Sequence, residues 1–189
     1  MASIKGFQLK NVKNTLGREG YGCLATMYLN GKKIGTYADY GDGAMEDVTY
    51  VSKEAEEAMM RVIIDFAKGY DNEFIINLYH ERPQQFKEKC ERFKQRYPFI
   101  PDEDITIQTM ASDSIVFIVG ELLYLIDLEK KFKKYLKKGY KAIGVAKQNI
   151  SDYPAIRSTY SAILSDDKIR KFAKENGEEL YMSLEDFNK

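Results

Sequence analysis

On both sides of Asn30-Gly31 apolar and polar side chains alternate with a period of two, from Cys23 to Leu29 and from Lys32 to Ala38. Asn-Gly is the preferred pair for a two-residue type I′ turn, because both central positions need φ > 0. A turn centred there pairs Leu29 with Lys32, Met27 with Ile34, Ala25 with Thr36 and Cys23 with Ala38. Alternation then sets Cys23, Ala25, Met27, Ile34 and Ala38 on one core-facing side, and Leu24, Tyr28, Lys33 and Tyr37 on a mixed, half-covered side. Residues 4–12 alternate more loosely and predict a first strand, residues 16–20 a connecting turn, and residues 47–51 a short fourth strand.

Beyond Ser52 the apolar period lengthens. Ala55, Ala58, Met59, Val62, Ile63 and Phe66 recur at helical spacing, with Ser52 as N-cap, Glu54, Glu56 and Glu57 in the first turns and Gly69 at the end. Pro83 opens a second helix with Phe86, Cys90, Phe93 and Tyr97 on one stripe, closed by Pro98. The run 74–79 fits helix or strand equally. Residues 115–128 are nearly all apolar and predict a central helix, capped by Ser112 or Asp113 and running on into lysines until Gly139. Then follow a strand at 140–146, a possible second at 156–164, a helix at 166–176 with Gly177 at its C-cap, and a last short strand at 179–183. Residues 150–164 fit a strand or an ordered loop.

This order predicts an α+β fold: an N-terminal antiparallel hairpin sheet packed with amphipathic helices, a central apolar helix, and a short C-terminal β-α-β segment. Pro98-Phe99-Ile100-Pro101 is the best linker candidate and divides the chain into 1–97 and 102–189, one continuous domain being the alternative.

Charge removes several function classes. Twenty-nine basic and 29 acidic residues cancel over 189 positions, so no global field draws the chain to DNA or membrane, and a wholly acidic DNA mimic is ruled out. Two cysteines, Cys23 and Cys90, are too few for a disulfide framework or a four-cysteine zinc site, and both stand at apolar positions as small buried hydrophobes. No apolar leader begins the sequence, and residues 115–126 are too short to span a bilayer. The expectation is a cytoplasmic protein with no membrane association.

Catalytic patterns are scarce. His80 is the one histidine, which leaves no imidazole pair for zinc and no nucleophile–base spacing with Cys90; it reads as a structural histidine. Phosphate-loop, nucleophile-elbow and dinucleotide signatures do not occur. Asp102 or Asp104 followed by Glu129-Lys130-Lys131 has the letters of a carboxylate-metal nuclease, but Glu129 falls within a helical run rather than a strand. No catalytic residue, cofactor or metal is expected.

Two charged constellations remain. Asp39, Tyr40, Asp42, Glu46 and Asp47, broken by Gly41 and Gly43, form an acidic loop that suits a partner-binding surface, a solvated turn or a cation site. Lys130, Lys131, Lys133, Lys134, Lys137 and Lys138, with Phe132 and Tyr135 between them, form a basic patch able to neutralise phosphates and stack bases. The alternative is a solvated helix end whose cations offset the helix dipole. Lys87, Lys89, Arg92, Lys94 and Arg96 make the second helix basic as well, against Glu88 and Glu91.

The segments GREGYGCLATMYLNGKKIGTYADYGDGAMED and FIVGELLYLIDLEKKFKKYLKKGYKAIGVA resemble small accessory proteins of phages and mobile elements of gut Firmicutes. In that group a Gly-Arg-Glu turn, a hairpin ending in Gly-Lys-Lys and an acidic-glycine loop occur together, followed by a lysine-ended helix, Gly-Tyr and a short strand. The two segments cover about a third of the chain. Some members resemble type II anti-CRISPR proteins, non-enzymatic inhibitors of a guide-RNA-loaded effector nuclease. The resemblance implies an interaction protein acting on a host effector ribonucleoprotein or its nucleic acid. The acidic loop would then mimic phosphates before arginines, the lysines would face RNA or DNA, and Tyr37, Tyr40 and Tyr135 would anchor. A stand-alone single-stranded nucleic-acid binder and a carboxylate-metal nuclease are the alternatives.

Overall fold

Asn30 and Gly31 both adopt positive φ, 49° and 78°, as the hairpin turn demands. The structure, a computed structural model, describes residues 1–70, 72–146 and 156–189. The turn joins β2 (Tyr21–Leu29) to β3 (Lys32–Ala38) within a four-stranded antiparallel sheet of order β1-β2-β3-β4, where β1 is Phe7–Leu16 and β4 is Asp47–Tyr50. The fold is α+β.

The hairpin register follows the expected pairing only next to the turn. Leu29 pairs with Lys32 and Tyr28 with Lys33, but a bulge then sets Met27 opposite Gly35, Ala25 opposite Tyr37 and Leu24 opposite Ala38. One additional residue in β3 makes Ile34 and Gly35 consecutive buried positions, and alternation beyond them is inverted. Tyr37 therefore faces the core, 3% exposed, and Ala38 does not. Gly35 is required at this point, since a Cβ there would stand 2.2 Å from the Thr49 carbonyl oxygen.

Ser52 caps α1 (Lys53–Ala67) by accepting a hydrogen bond from the Ala55 amide. Helix α1 lies against β3 and β4 and buries Met59, Met60, Ile63 and Ile64. The run at 74–79 is helical, as α2 (Glu73–Glu81). Pro83 begins α3 (Pro83–Arg96), which buries Phe93. Residues 98–101 lead into a 3-10 turn at Asp102–Asp104 and a short α4 (Ile107–Met110).

The long central helix is α5 (Ile115–Lys137), with Ile118, Leu122, Leu125, Leu128 and Phe132 buried along it. Its start differs from expectation. The Ser114 hydroxyl accepts from the Val116 amide, whereas Ser112 is buried and Asp113 faces Lys89. Gly139, at φ 84°, ends the lysine-rich stretch.

After it come β5 (Tyr140–Ala146), β6 (Ile156–Ser161), α6 (Asp166–Glu175) and β7 (Glu178–Tyr181). The second sheet has the order β6-β5-β7, with β5 antiparallel to both neighbours. Ile169 and Ala173 of α6 pack on Ala142 and Tyr160 of that sheet. Of the stretch 150–164, residues 156–161 are strand, and 150–155 lie outside the described residues.

The chain divides into two compact units, Leu9–Val119 and Met1–Gln8 with Gly120–Lys189. The boundary falls inside α5, and Pro98-Phe99-Ile100-Pro101 lies within the first of these units.

Candidate functional site

Along the C-terminal half of α5 the helical period separates two faces. Leu125, Leu128 and Phe132 point inward, and Phe132 meets Phe187 at 5.5 Å between ring centroids. Lys130, Lys131, Lys133, Lys134, Lys137 and Lys138 share the remaining face, spread over about 160° at 100° per residue. Two of them are neutralised within the helix. Lys131 pairs with Asp127 at 2.8 Å and Lys133 with Glu129 at 2.6 Å. Lys130, Lys134, Lys137 and Lys138 are exposed and have no ion pair among the described residues.

Glu129 orders this region from beneath. It is 4% exposed, and its carboxylate accepts from the Ala2 amide at 2.9 Å as well as from Lys133. Burial alone would raise its pKa, but the bonds from Lys133 and Ala2 outweigh burial and hold it below the ordinary value.

Tyr135 stands half-buried among the lysines. Its ring meets Tyr140 edge-on, with centroids 5.7 Å apart at 80°, and the Lys138 ammonium lies 5.7 Å from its centroid. Lys131, Lys134, Tyr135, Lys138 and Ile156 line a groove of about 330 Å³. Cations beside an aromatic face and an apolar wall are the elements that hold a phosphate backbone and a base.

The second basic helix is different. Lys89 of α3 donates to Asp113 at 2.8 Å and to the Met110 carbonyl at 2.7 Å. Lys94 pairs with Asp102 at 2.9 Å, Arg96 with Glu56 at 3.1 Å, and Arg92 donates to the Glu88 carbonyl. Its positive charge is largely neutralised by its own unit.

The acidic loop follows the same economy. The Asp39 carboxylate accepts from the Gly41 amide at 2.8 Å and that of Asp42 from the Ala44 amide at 3.1 Å. Asp39 and Glu46 are half-buried, while Tyr40, Asp42 and Asp47 are exposed. No cluster of three or more metal-ligating side chains exists among the described residues. Tyr37, expected as an anchor, lies in the core, so Tyr40 is the exposed tyrosine of this segment.

The remaining chemical candidates are scattered over separate elements. Burial, with Asp39 nearby, pushes the Cys23 thiol up to about 11, and burial also raises that of Cys90, which keeps both neutral at ordinary pH. His80, expected to be a structural histidine, instead stands exposed in the last turn of α2, where a basic side chain suits the negative end of the helix dipole. Asp102 pairs with Lys94 and Asp104 with Lys68 at 2.7 Å, and Glu129 sits in a helix under its own donors.

Comparison with known proteins found no matching family model, no matching curated protein and no matching solved structure. Among the described residues no helix is long and apolar enough to cross a membrane.

Proposed function

We propose that this chain is a non-catalytic binding protein that engages the phosphate backbone of a nucleic acid through the lysine face of α5. One observation carries the reading: Lys130, Lys134 and Lys137 of α5, with Lys138 in the turn that closes it, stand exposed without a counter-ion among the described residues. Four like charges so placed repel one another, and a polyanion relieves that repulsion while releasing its own condensed counterions. Tyr135 and the adjoining groove supply a surface for an unstacked base.

The resemblance to mobile-element accessory proteins extends the proposal to its setting, a host effector ribonucleoprotein of the CRISPR type whose guide or target strand the lysines would contact. Inhibition would follow from occupying that strand, without turnover. A direct role for Asp39 and Asp42 as phosphate mimics has less support, because loop amides already occupy their carboxylates. Stand-alone binding of single-stranded RNA or DNA rests on the same lysine face.

Size-exclusion runs separate the two settings. The chain is passed alone, with a 20-nucleotide single strand, and with a guide-loaded type II effector nuclease. Co-elution with the effector complex, lost when Lys130, Lys134, Lys137 and Lys138 are changed to Ala, supports the inhibitor. Co-elution with the bare strand supports the simple binder, and migration alone in every run removes both.

A further inference from the structure

A second surface, independent of the lysines, stands at one end of the first sheet. The Asp39 amide donates to the Cys23 carbonyl, so the β1–β2 and β3–β4 connections leave the sheet side by side. On them and their flanking strand ends are four large apolar side chains open to solvent: Leu16 at 74%, Tyr21 at 77%, Tyr40 at 51% and Met45 at 91% exposure. Exposed apolar groups gathered at one place mark interaction surfaces more than isolated ones do.

The frame that displays them is braced backbone to backbone. The Glu19 amide donates to the Gly41 carbonyl at 2.8 Å, and the Thr15 hydroxyl to the Asp39 carbonyl at 2.7 Å. A Cβ on Gly17 would stand 2.3 Å from the Tyr40 oxygen, and one on Gly22 2.3 Å from the Asp39 oxygen. Gly17 in the β1–β2 connection and Gly22 at the start of β2 thus let the backbone of residues 39–41 approach closely, which brings the chain at Leu16 and Tyr21 next to the chain at Tyr40. A braced loop loses little freedom on binding, so its apolar side chains are pre-organised for contact.

Charge selects the partner. Beside them, where the β3–β4 connection enters β4, lie Glu46 and Asp47, while Asp39 and Asp42 add negative charge although one oxygen of each accepts a loop amide, and Glu19 is shared with Arg18 at 3.7 Å. A negative rim repels phosphates and favours arginine and lysine. We propose that this end of the sheet is a docking surface for a basic protein partner, with Tyr21, Tyr40 and Met45 filling apolar pockets and the acidic rim facing its arginines or lysines.

Random peptides displayed on phage, selected on the full chain after nuclease treatment, test the surface. The expected winners combine Arg or Lys with Leu, Phe or Trp. A synthetic copy should bind the Tyr21→Ser/Tyr40→Ser/Met45→Ser variant about tenfold or more weakly, yet bind the four-lysine variant unchanged. Since all three side chains are exposed, the triple variant should melt with the parent, and far-UV circular dichroism checks that it does. No enrichment, enrichment of neutral or acidic peptides, or equal binding to the triple variant overturns the proposal. Self-association abolished by the triple substitution, seen in sedimentation equilibrium, overturns it too by assigning the surface to a second copy.

Discussion

Helix α3 and the C-terminal half of α5 carry positive charge at similar density, yet they present opposite surfaces. On α3, Lys89, Lys94 and Arg96 each meet a carboxylate, and Arg92 meets a carbonyl. On α5, only Lys131 and Lys133 do, each through a carboxylate one turn earlier, while Lys130, Lys134, Lys137 and Lys138 have none among the described residues. A row of lysines in a sequence therefore states how much charge a helix carries, not how much is available to a partner. Availability depends on acids that the fold brings from elsewhere, such as Glu56 from α1 or Asp113 ahead of α5.

The largest expected effect removes the available charge. With about 0.7 counterion released per phosphate contact, the parent should lose single-strand affinity by about 50-fold between about 50 and 200 mM salt, and changing Lys130, Lys134, Lys137 and Lys138 to Ala should remove nearly all of that salt-dependent affinity. Removing Lys87, Lys94 and Arg96 from α3 should leave that affinity within about twofold. Fluorescence anisotropy at the two salt concentrations compares them, and an equal loss from both helices would erase the contrast.

Next comes the buried support of α5. Glu129→Gln should cost about 2 kcal/mol in urea unfolding, the usual worth of hydrogen bonds to a charged group. The folded-state pKa of Glu129 lies below its unfolded value, so its contribution is present above the ordinary carboxylate range and is lost as pH falls through the folded pKa. The gap between parent and variant should narrow below about pH 4.

Lys89→Met is the counterpart on α3. It leaves Asp113 without its donor and the Met110 carbonyl with only the long bond from the Tyr79 hydroxyl, and should cost about 1.5 kcal/mol with no change in nucleic-acid affinity. Burial would lower the Lys89 pKa, but Asp113 outweighs burial and raises it. Its contribution is thus complete below the unfolded lysine pKa and fades as pH rises through the folded one. Smallest of all, Lys131→Ala should change affinity by less than about twofold and stability by about 0.5 kcal/mol, the scale of an i,i+4 pair.

Much of the fold was legible because local chemistry decides it. Asn30-Gly31, Ser52, Pro83, Gly139 and Gly177 each require one backbone geometry, and the elements begin and end beside them. The bulge at Ile34 was not, since Lys32 to Ala38 alternates well enough in either register, and it is this bulge that turns Tyr37 from anchor to core residue. The helical nature of 74–79 was hidden by a run too short to show a period. At the candidate site the residue types were readable and their availability was not. Every ion pair that separates α3 from α5 joins positions of which only the i,i+4 pairs could be read from spacing. The exposure of Leu16, Tyr21 and Met45 had a signal as well, since apolar residues that flank a Gly-Arg-Glu turn or stand within a glycine-acid loop have no periodic element to bury them.

The claim that α5 holds its lysines open for phosphates is tested most directly by the salt dependence of affinity for one single-stranded oligonucleotide, measured for the parent chain and the four-lysine variant. The slope of log K against log salt should be about −3 for the parent and near zero for the variant. A parent slope near zero, or the same steep slope in both proteins, would contradict it.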